Sequence, residues 1–283
     1  MKYGCVIDAA YFLAFGDLAR EAENAGWDGI FIADAIGIQT KEYPASDWFD
    51  PWVVLAVMAD RTERIRLGTL ITPISRRRPW KLGREVATLD HLSGGRMIFS
   101  VGLGAAKDDC GFYAVGEQMD LKGRAELMDE GLEIVAALWN GTPVTRSGKH
   151  FKVDGMTLLP RPVQNPRVPI WVVGVWPKEK SMKRAVSWDG VIMQKYASKP
   201  WDKDTPGDVV ALREYVAANR SNSSPFDIVV QSFGSDLSAK GRAAAREEAA
   251  ALADSGATWL MEHFLSAEDP KTAAKWIRQG PPR

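Results

Sequence analysis

The chain has 283 residues, 46% of them hydrophobic and 25% charged, with 36 acidic and 36 basic side chains. That length suits one α/β barrel of roughly 250 residues and should bury about 75% of the unfolded surface, so the core needs neither disulfide nor metal. The zero formal charge leaves no basic excess for nucleic acid or an acidic membrane, and no apolar run approaches the roughly 18 residues of a membrane span.

The N-terminus lacks a signal-peptide pattern, and Cys5 and Cys110 form no metal-ligand spacing and no disulfide framework. The expectation is a cytoplasmic protein without a bound metal. The 11 tryptophans suggest core packing first, and walls for a planar ligand second.

Tyr3–Ile7 reads as a short apolar strand, Phe15–Gly26 as a helix stopped by glycine, and Trp27–Ala33 as a second strand running into Asp34. Asp50 followed by Pro51 starts a helix to about Arg61. Ile65–Ile71 is the third strand, Pro79–Leu92 a helix closed by Ser93-Gly94-Gly95, and Arg96–Leu103 the fourth strand. A Gly-rich loop leads to a helix from about Arg124 to Trp139.

Thr142–Pro160 interrupts this grammar. Its Ser147-Gly148 and Asp154-Gly155 turns predict a small β insertion after helix four. The alternation then resumes with strands at Val168–Gly174, Asp189–Met193, Phe226–Gln231 and Ala257–His263. Helices are predicted from about Pro177, near Gly207–Asn219, over Ala239–Ser255 and over Pro270–Ile277. Eight strands alternating with eight helices predict a single α/β domain, a (β/α)8 TIM barrel over residues 1–283. A doubly wound open sheet is the alternative, disfavoured because no GxGxxG follows the first strand.

In such a barrel the active site lies at the C-terminal ends of the strands. This nominates Asp8, Asp34, Leu70–Thr72, Gly102–Ala105, Gly174–Trp176, Gln194, Lys195, Gln231, Glu262 and His263. Gly102-Leu103-Gly104 reads as a place for close backbone approach to a ligand, or as a simple tight turn. Gly174-Val175-Trp176-Pro177 opens a helix whose free N–H groups, with Lys178 and Lys195 nearby, would attract an anion; capped helix and solvated lysines are the plain alternative.

Arg76-Arg77-Arg78 reads as a solvated loop, or as a face toward an anionic ligand or a partner subunit. Glu262 is expected to point inward in phase with Leu260 and Thr258, with Trp259 and His263 toward the helices. His91 and His150 look structural and exposed, respectively. No nucleophile elbow, zinc-type histidine pair or P-loop is present, so a bound cofactor is expected to carry the chemistry.

The stretch DPWVVLAVMADRTERIRLGTLITPISRRRPWKLGREVATLDHLSGGR, Asp50 to Arg96, resembles the luciferase-like flavin-dependent oxidoreductases. AREAENAGWDGIFIAD, SVGLGA, LPRPVQNPRVPIWVVG and WDGV extend the resemblance in order across roughly residues 15 to 195. It implies a (β/α)8 barrel holding a reduced flavin, FMN or alternatively the deazaflavin coenzyme F420. The implied cofactor-binding residues are Thr69, Leu70 and Ile71, Gly102, Leu103 and Gly104, and Gly174, Val175, Trp176 and Lys195. A bulge with a cis peptide at Leu70–Ile71 backs the ring in the family.

The chain departs from the family pattern at three places: Asp34-Ala35 where many relatives have Asp-His, Ala105 where sugar-phosphate dehydrogenases have glutamate, and Leu103 where luciferases have arginine. Asp34 and Glu262 stay as candidate catalytic residues. The resemblance implies a monooxygenase using reduced FMN and O2 on a small organic substrate, served by a flavin reductase and forming a homodimer. An F420-dependent reductase or dehydrogenase and a non-catalytic flavin-binding barrel are the alternatives. Trp48, Trp52 and Trp176 are expected as aromatic walls.

Overall fold

A computed structural model describes residues 1–8, 14–37, 47–104, 112, 115–195, 204–233, 241–264 and 270–283. Ala105 and Cys110 lie outside the described residues, as does the expected start of a helix at Ala239.

Eight parallel strands close into a barrel. They are β1 (Lys2–Ile7), β2 (Gly29–Ile32), β3 (Arg66–Thr69), β5 (Met97–Gly102), β8 (Ile170–Trp176), β9 (Gly190–Lys195), β10 (Asp227–Phe233) and β11 (Trp259–Phe264). The ring order is β3-β2-β1-β11-β10-β9-β8-β5, and Leu67↔Met97 and Gly68↔Ile98 join β5 back to β3. A two-residue strand, β4 (Thr72–Pro73), extends β3 past a break at Leu70–Ile71 and pairs with β5. The architecture is the expected (β/α)8 barrel.

The helices outside the ring begin where local chemistry starts them. In α1 (Phe15–Asn24) and α2 (Pro51–Asp60), the second shows the cap most plainly. Asp50 accepts hydrogen bonds from the Trp52 and Val53 N–H groups at 2.9 and 3.0 Å, with Pro51 at the first position. Helix α3 (Pro79–Leu92) stops at Ser93, after which Gly94 and Gly95 take φ of 64° and 85°. Helix α4 (Leu121–Leu138) starts earlier than predicted, because the Asp120 carboxylate caps the Gly123 N–H at 2.7 Å.

Next come α5 (Glu179–Val186) and α6 (Pro206–Asn219), the latter opened by a capping box between Thr205 and Asp208. The last are α7 (Arg242–Ser255) and α8 (Pro270–Arg278). The insertion is an antiparallel hairpin of β6 (Val144–Ser147) and β7 (Lys152–Met156). Its turn lies at 148–151. Asp154-Gly155, expected as a second turn, instead sits inside β7, where Gly155 has φ 65° beside a register shift in the ladder.

Two apolar layers share the strands. The outer one, between strands and helices, includes Cys5, Ile30, Leu67, Phe99, Val172 and Leu260. The inner one fills the barrel with Val6, Phe31, Ile98, Trp171, Ile192, Val229, Trp259 and Met261. Phe31 stacks on Trp171 at 5.8 Å and meets Trp259 edge-on at 6.1 Å, while the two indoles lie 5.3 Å apart. The Trp171 indole N–H donates to Asp227 at 3.1 Å.

This corrects the expected phase of β11: Trp259 and Met261 point into the barrel, and Leu260 points outward. The rings fit because glycines face them. A Cβ on Gly29 would stand 2.6 Å from the Phe31 ring, and one on Gly190 would stand 2.5 Å from the Trp171 ring.

Gly190→Ala should therefore destabilise the fold by about 1–3 kcal/mol, the usual cost of overpacking a rigid site. Gly37→Ala, with no atom of the described residues within 4 Å of the added carbon, should stay within about 0.5 kcal/mol. Urea unfolding of both variants checks the contrast.

Candidate functional site

Above the aromatic filling, at the C-terminal ends of the strands, lies a cavity of about 510 Å³. That volume is in the range of small-molecule sites. Its floor is apolar: Leu70 and Ile71 from the β3–β4 break, Val173 from β8 and Ile192 from β9. The Leu70–Ile71 peptide is cis. Gly102 and Gly104 form one wall beside Leu103, and Leu121 and Met128 of α4 stand behind them. A Cβ on Gly102 would meet Ile71 and Val173 at 3.0 Å, so the glycine keeps the floor clear. Gly104 has φ 76°, and a Cβ there would stand 2.9 Å from Pro73.

The polar groups of the cavity come from four strand ends and one helix: Asp8, Asp34, Gln194, Gln231, Ser181 and Arg184. Asp34 is a hub. Its carboxylate accepts from Arg76, from Arg77 at 2.8 and 2.9 Å, from Thr72 at 2.9 Å and from the Trp52 indole at 3.2 Å. The carboxylate is fully buried, and the two arginines are only 9% and 15% exposed. Both oxygens are occupied, so Asp34 holds the strand ends together. Arg76 and Arg77 accordingly turn inward, with their guanidinium groups 5.8 Å from the Phe112 and Trp52 rings. Arg78 alone of the three is exposed.

Glu262 does not reach the cavity. It is buried in phase with Leu260, on the outer side of β11, opposite Cys5 in the ladder. His263, expected to face the helices, is instead in phase with Trp259 and Met261 and bonds to Gln231 at 3.0 Å. Gln231 donates its amide to the Met193 carbonyl at 2.9 Å. Its oxygen therefore accepts the His263 Nε2–H. Burial pulls His263 down to about 3, so the ring is neutral at physiological pH.

Asp8 ends β1 in phase with the inward Val6. Burial alone pushes its carboxyl up to about 6. No described residue hydrogen-bonds or ion-pairs with it.

Of the ten residues expected to hold a cofactor, Leu70, Ile71, Gly102, Leu103, Gly104 and Val175 line the cavity. The other four stand elsewhere. Thr69 lies beneath, its hydroxyl 2.8 Å from that of Thr72. Gly174 faces α5, where a Cβ would stand 2.5 Å from Val191 and 2.9 Å from Met182. Its glycine therefore serves helix–strand packing. Trp176 points outward onto Tyr215, ring to ring at 5.6 Å. Lys195 pairs with Asp208 at 2.6 Å.

The expected anion loop is also partly filled by the chain itself. The Val175 N–H donates to Ser181 Oγ at 3.0 Å, and Arg184 grips Asp129 at 2.5 and 2.9 Å. Among the expected aromatic walls, Trp48 lines the cavity, Trp52 supports Asp34 and Trp176 faces away.

Sequence reasoning passed over Arg124. Its guanidinium is buried and donates to the Leu103 and Gly104 carbonyls at 2.8 and 2.6 Å, fixing the wall of the cavity. An arginine in the first turn of a helix that follows a Gly-x-Gly loop was the available signal.

Removing the Asp34 hub strands two nearly buried cations. Asp34→Ala should cost about 3–5 kcal/mol, read as a lowered midpoint in urea unfolding. Asp34→Asn should fall between that variant and the parent.

A family model described as luciferase-like monooxygenase matches residues 8–280. An uncharacterized protein of Mycobacterium tuberculosis is 32% identical over 221 residues, 73% of this chain and 75% of that protein. The F420-dependent glucose-6-phosphate dehydrogenase of Nakamurella multipartita is 30% identical over 157 residues, 55% of this chain and 44% of that protein. Among solved structures, the monooxygenase RslO1 from Streptomyces bottropensis shares the fold with a TM-score of 0.74 at 24% identity, covering 99% of this chain and 97% of that one. No helix of the described residues is long and apolar enough to cross a membrane. With the cavity at the strand ends and the match spanning nearly the whole chain, the protein belongs to the luciferase-like monooxygenase family of oxidoreductases.

Proposed function

We propose that the chain is a monooxygenase that uses reduced FMN and O2 on a small organic substrate. The observation that carries this reading is the wide apolar floor at the strand ends of a barrel of this family. A flat isoalloxazine ring needs such a floor and hydrogen-bonding groups at its edge. Leu70, Ile71, Val173 and Ile192 supply the floor, kept open by Gly102, and the amides of Gln194 and Gln231 supply edge donors and acceptors.

When bound, reduced FMN would supply the electrons for splitting O2. The protein's part is to seat the ring, to exclude water through Leu103, Leu121 and Met128, and to orient the substrate. Gln231 is well suited to orienting, since His263 and the Met193 carbonyl fix its amide.

The flavin phosphate has Ser181 and Arg184 within reach of the cavity, but Arg184 already carries Asp129. Modest FMN affinity follows, which suits a cofactor delivered by a separate flavin reductase. That reductase and a cytoplasmic setting belong to the same proposal.

A second reading, an F420-dependent hydride-transfer enzyme, is favoured by the relative from Nakamurella multipartita. The geometry weighs against it at Lys195, which is engaged by Asp208. Fluorescence titration of the purified protein with FMN, reduced FMN and coenzyme F420 separates the two. Reduced FMN should bind below about 100 μM with oxidised FMN weaker. Selective binding of F420 would replace the first reading with the second.

A homodimer is part of the proposal. Helix α2 is apolar around its whole circumference and leaves Val53 and Val57 67% and 49% exposed, one turn apart. Light scattering should give twice the 31.2 kDa chain mass, and Val53→Asp with Val57→Asp should halve it.

A further inference from the structure

Three titratable side chains among the described residues reach the cavity: Asp8, Asp34 and Arg184. Asp34 is neutralised by Arg76 and Arg77, and Arg184 by Asp129. Asp8 differs from both. It closes the innermost edge of the site, where β1 ends between β2 and β11. Its neighbours across the ladder bring it no counter-charge. On the β2 side stand Ala33 and Ala35, with the Asp34 carboxylate held on its arginines. On the other side stand neutral His263 and, on β10, Gln231.

Farther round the ring, Asp204 accepts the Gln231 backbone N–H, and Lys195 is paired with Asp208. Among the described residues, desolvation is the cause of the upward shift of the Asp8 carboxyl. A carboxylate without a partner among the described residues, beside an apolar floor, costs stability in the fold. It is a group kept for what enters.

We propose that Asp8 is the proton acceptor of the site, taking the O–H proton of a hydroxylated aromatic or alicyclic substrate seated on the Leu70–Ile71–Val173 floor. The proposal rests on the monooxygenase reading only for the source of the oxidising power. In the step assigned to Asp8, the substrate O–H bond breaks and an O–H bond forms on the carboxylate. No electrons leave the substrate in that step, and the proton afterwards passes to solvent at the mouth of the cavity.

A desolvated carboxylate is a stronger base than a solvated one, and one titrating near neutrality is matched to proton transfer at working pH. Among the described residues Leu121 is 63% exposed beside the cavity, which suits a ring-bearing substrate with a single polar handle.

The probe for the test is 2-naphthol, a weak acid in its ground state and a strong one when excited, read with protein in excess because free probe ionises to bulk water; held away from water, it emits as naphtholate where a nearby base accepts its proton. With the flavin-free protein, bound naphthol should give naphtholate emission at pH 8. The emission should fade as pH drops through about 6, where the carboxylate becomes protonated. It should vanish in Asp8→Asn and return in Asp8→Glu.

Infrared difference titration of the parent should show a carboxyl band with a midpoint near pH 6 that Asp8→Asn lacks. Asp8→Asn should also raise the melting temperature at pH 8 but not at pH 4. Burial raises the native carboxyl above its unfolded value, so the penalty is absent below about pH 4 and complete above pH 6. In the loaded enzyme, kcat/KM for hydroxylated substrates should fall at least about 100-fold in Asp8→Asn, with the Kd for reduced FMN changed less than threefold.

Naphtholate emission surviving in Asp8→Asn, neutral emission from the parent at pH 8, or no binding of 2-naphthol at millimolar concentration would each overturn the assignment. Failure of any flavin to bind would instead overturn the monooxygenase reading and leave the naphthol and infrared results to decide on Asp8.

Discussion

The barrel interior is filled at one end, and a ligand-sized cavity lined by described residues lies at the other. Phe31, Trp171 and Trp259 occupy the interior below the floor, and inward glycines at positions 4, 29 and 190 make room for them. Burying aromatic side chains is among the larger stabilising contributions a core can have. Here the same burial sets the depth of the cavity. Leu70, Val173 and Ile192 lie directly on this filling, so the floor is rigid and apolar because the rings beneath it are close-packed. Polar chemistry is thereby confined to the last residues of each strand.

At that rim two carboxylates one strand apart have opposite fates. Asp34 has five hydrogen bonds and two guanidinium partners, and it ties the end of β2 to the segment after β4. Asp8 has none from the described residues and stays in the cavity with its proton affinity raised. The contrast is one of environment, not residue type, and it separates a carboxylate tied into the fold from the one proposed to take a proton. Arg124 belongs with Asp34 in this respect. It is a buried charge that fixes backbone carbonyls so that the glycine wall keeps its shape.

The fold was legible from the sequence because its punctuation is local. Asp50-Pro51 and Pro79 start helices, Ser93-Gly94-Gly95 ends one, and strands alternate with helices. The hairpin at 144–156 was legible for the same reason.

The facing of side chains was not legible. Strands of a closed barrel are apolar on both faces, so polarity gives no phase. Glu262 was read inward and lies outward because Met261 and Trp259 fit where Gly4 and Gly29 open space, residues more than 200 positions away. The same ambiguity put Gly174 and Trp176 in the site and left Val175, between them, as the residue that lines it. The pairing of Arg76 and Arg77 with Asp34 spans 42 and 43 positions, and no short-range pattern announces it. Asp8 was visible as a strand end, but its lack of a partner among the described residues depends on everything around it.

The aromatic filling has a consequence for how such a chain can change over evolutionary time. Gly29 and Gly190 cannot accept even a methyl group without displacing a ring, whereas the rim residues Leu121 and Gln194 are exposed. Variation is therefore channelled: the floor admits almost no drift, and the rim can be rewritten one residue at a time. A lineage built on this barrel can exchange substrates freely while the seat beneath them stays the same.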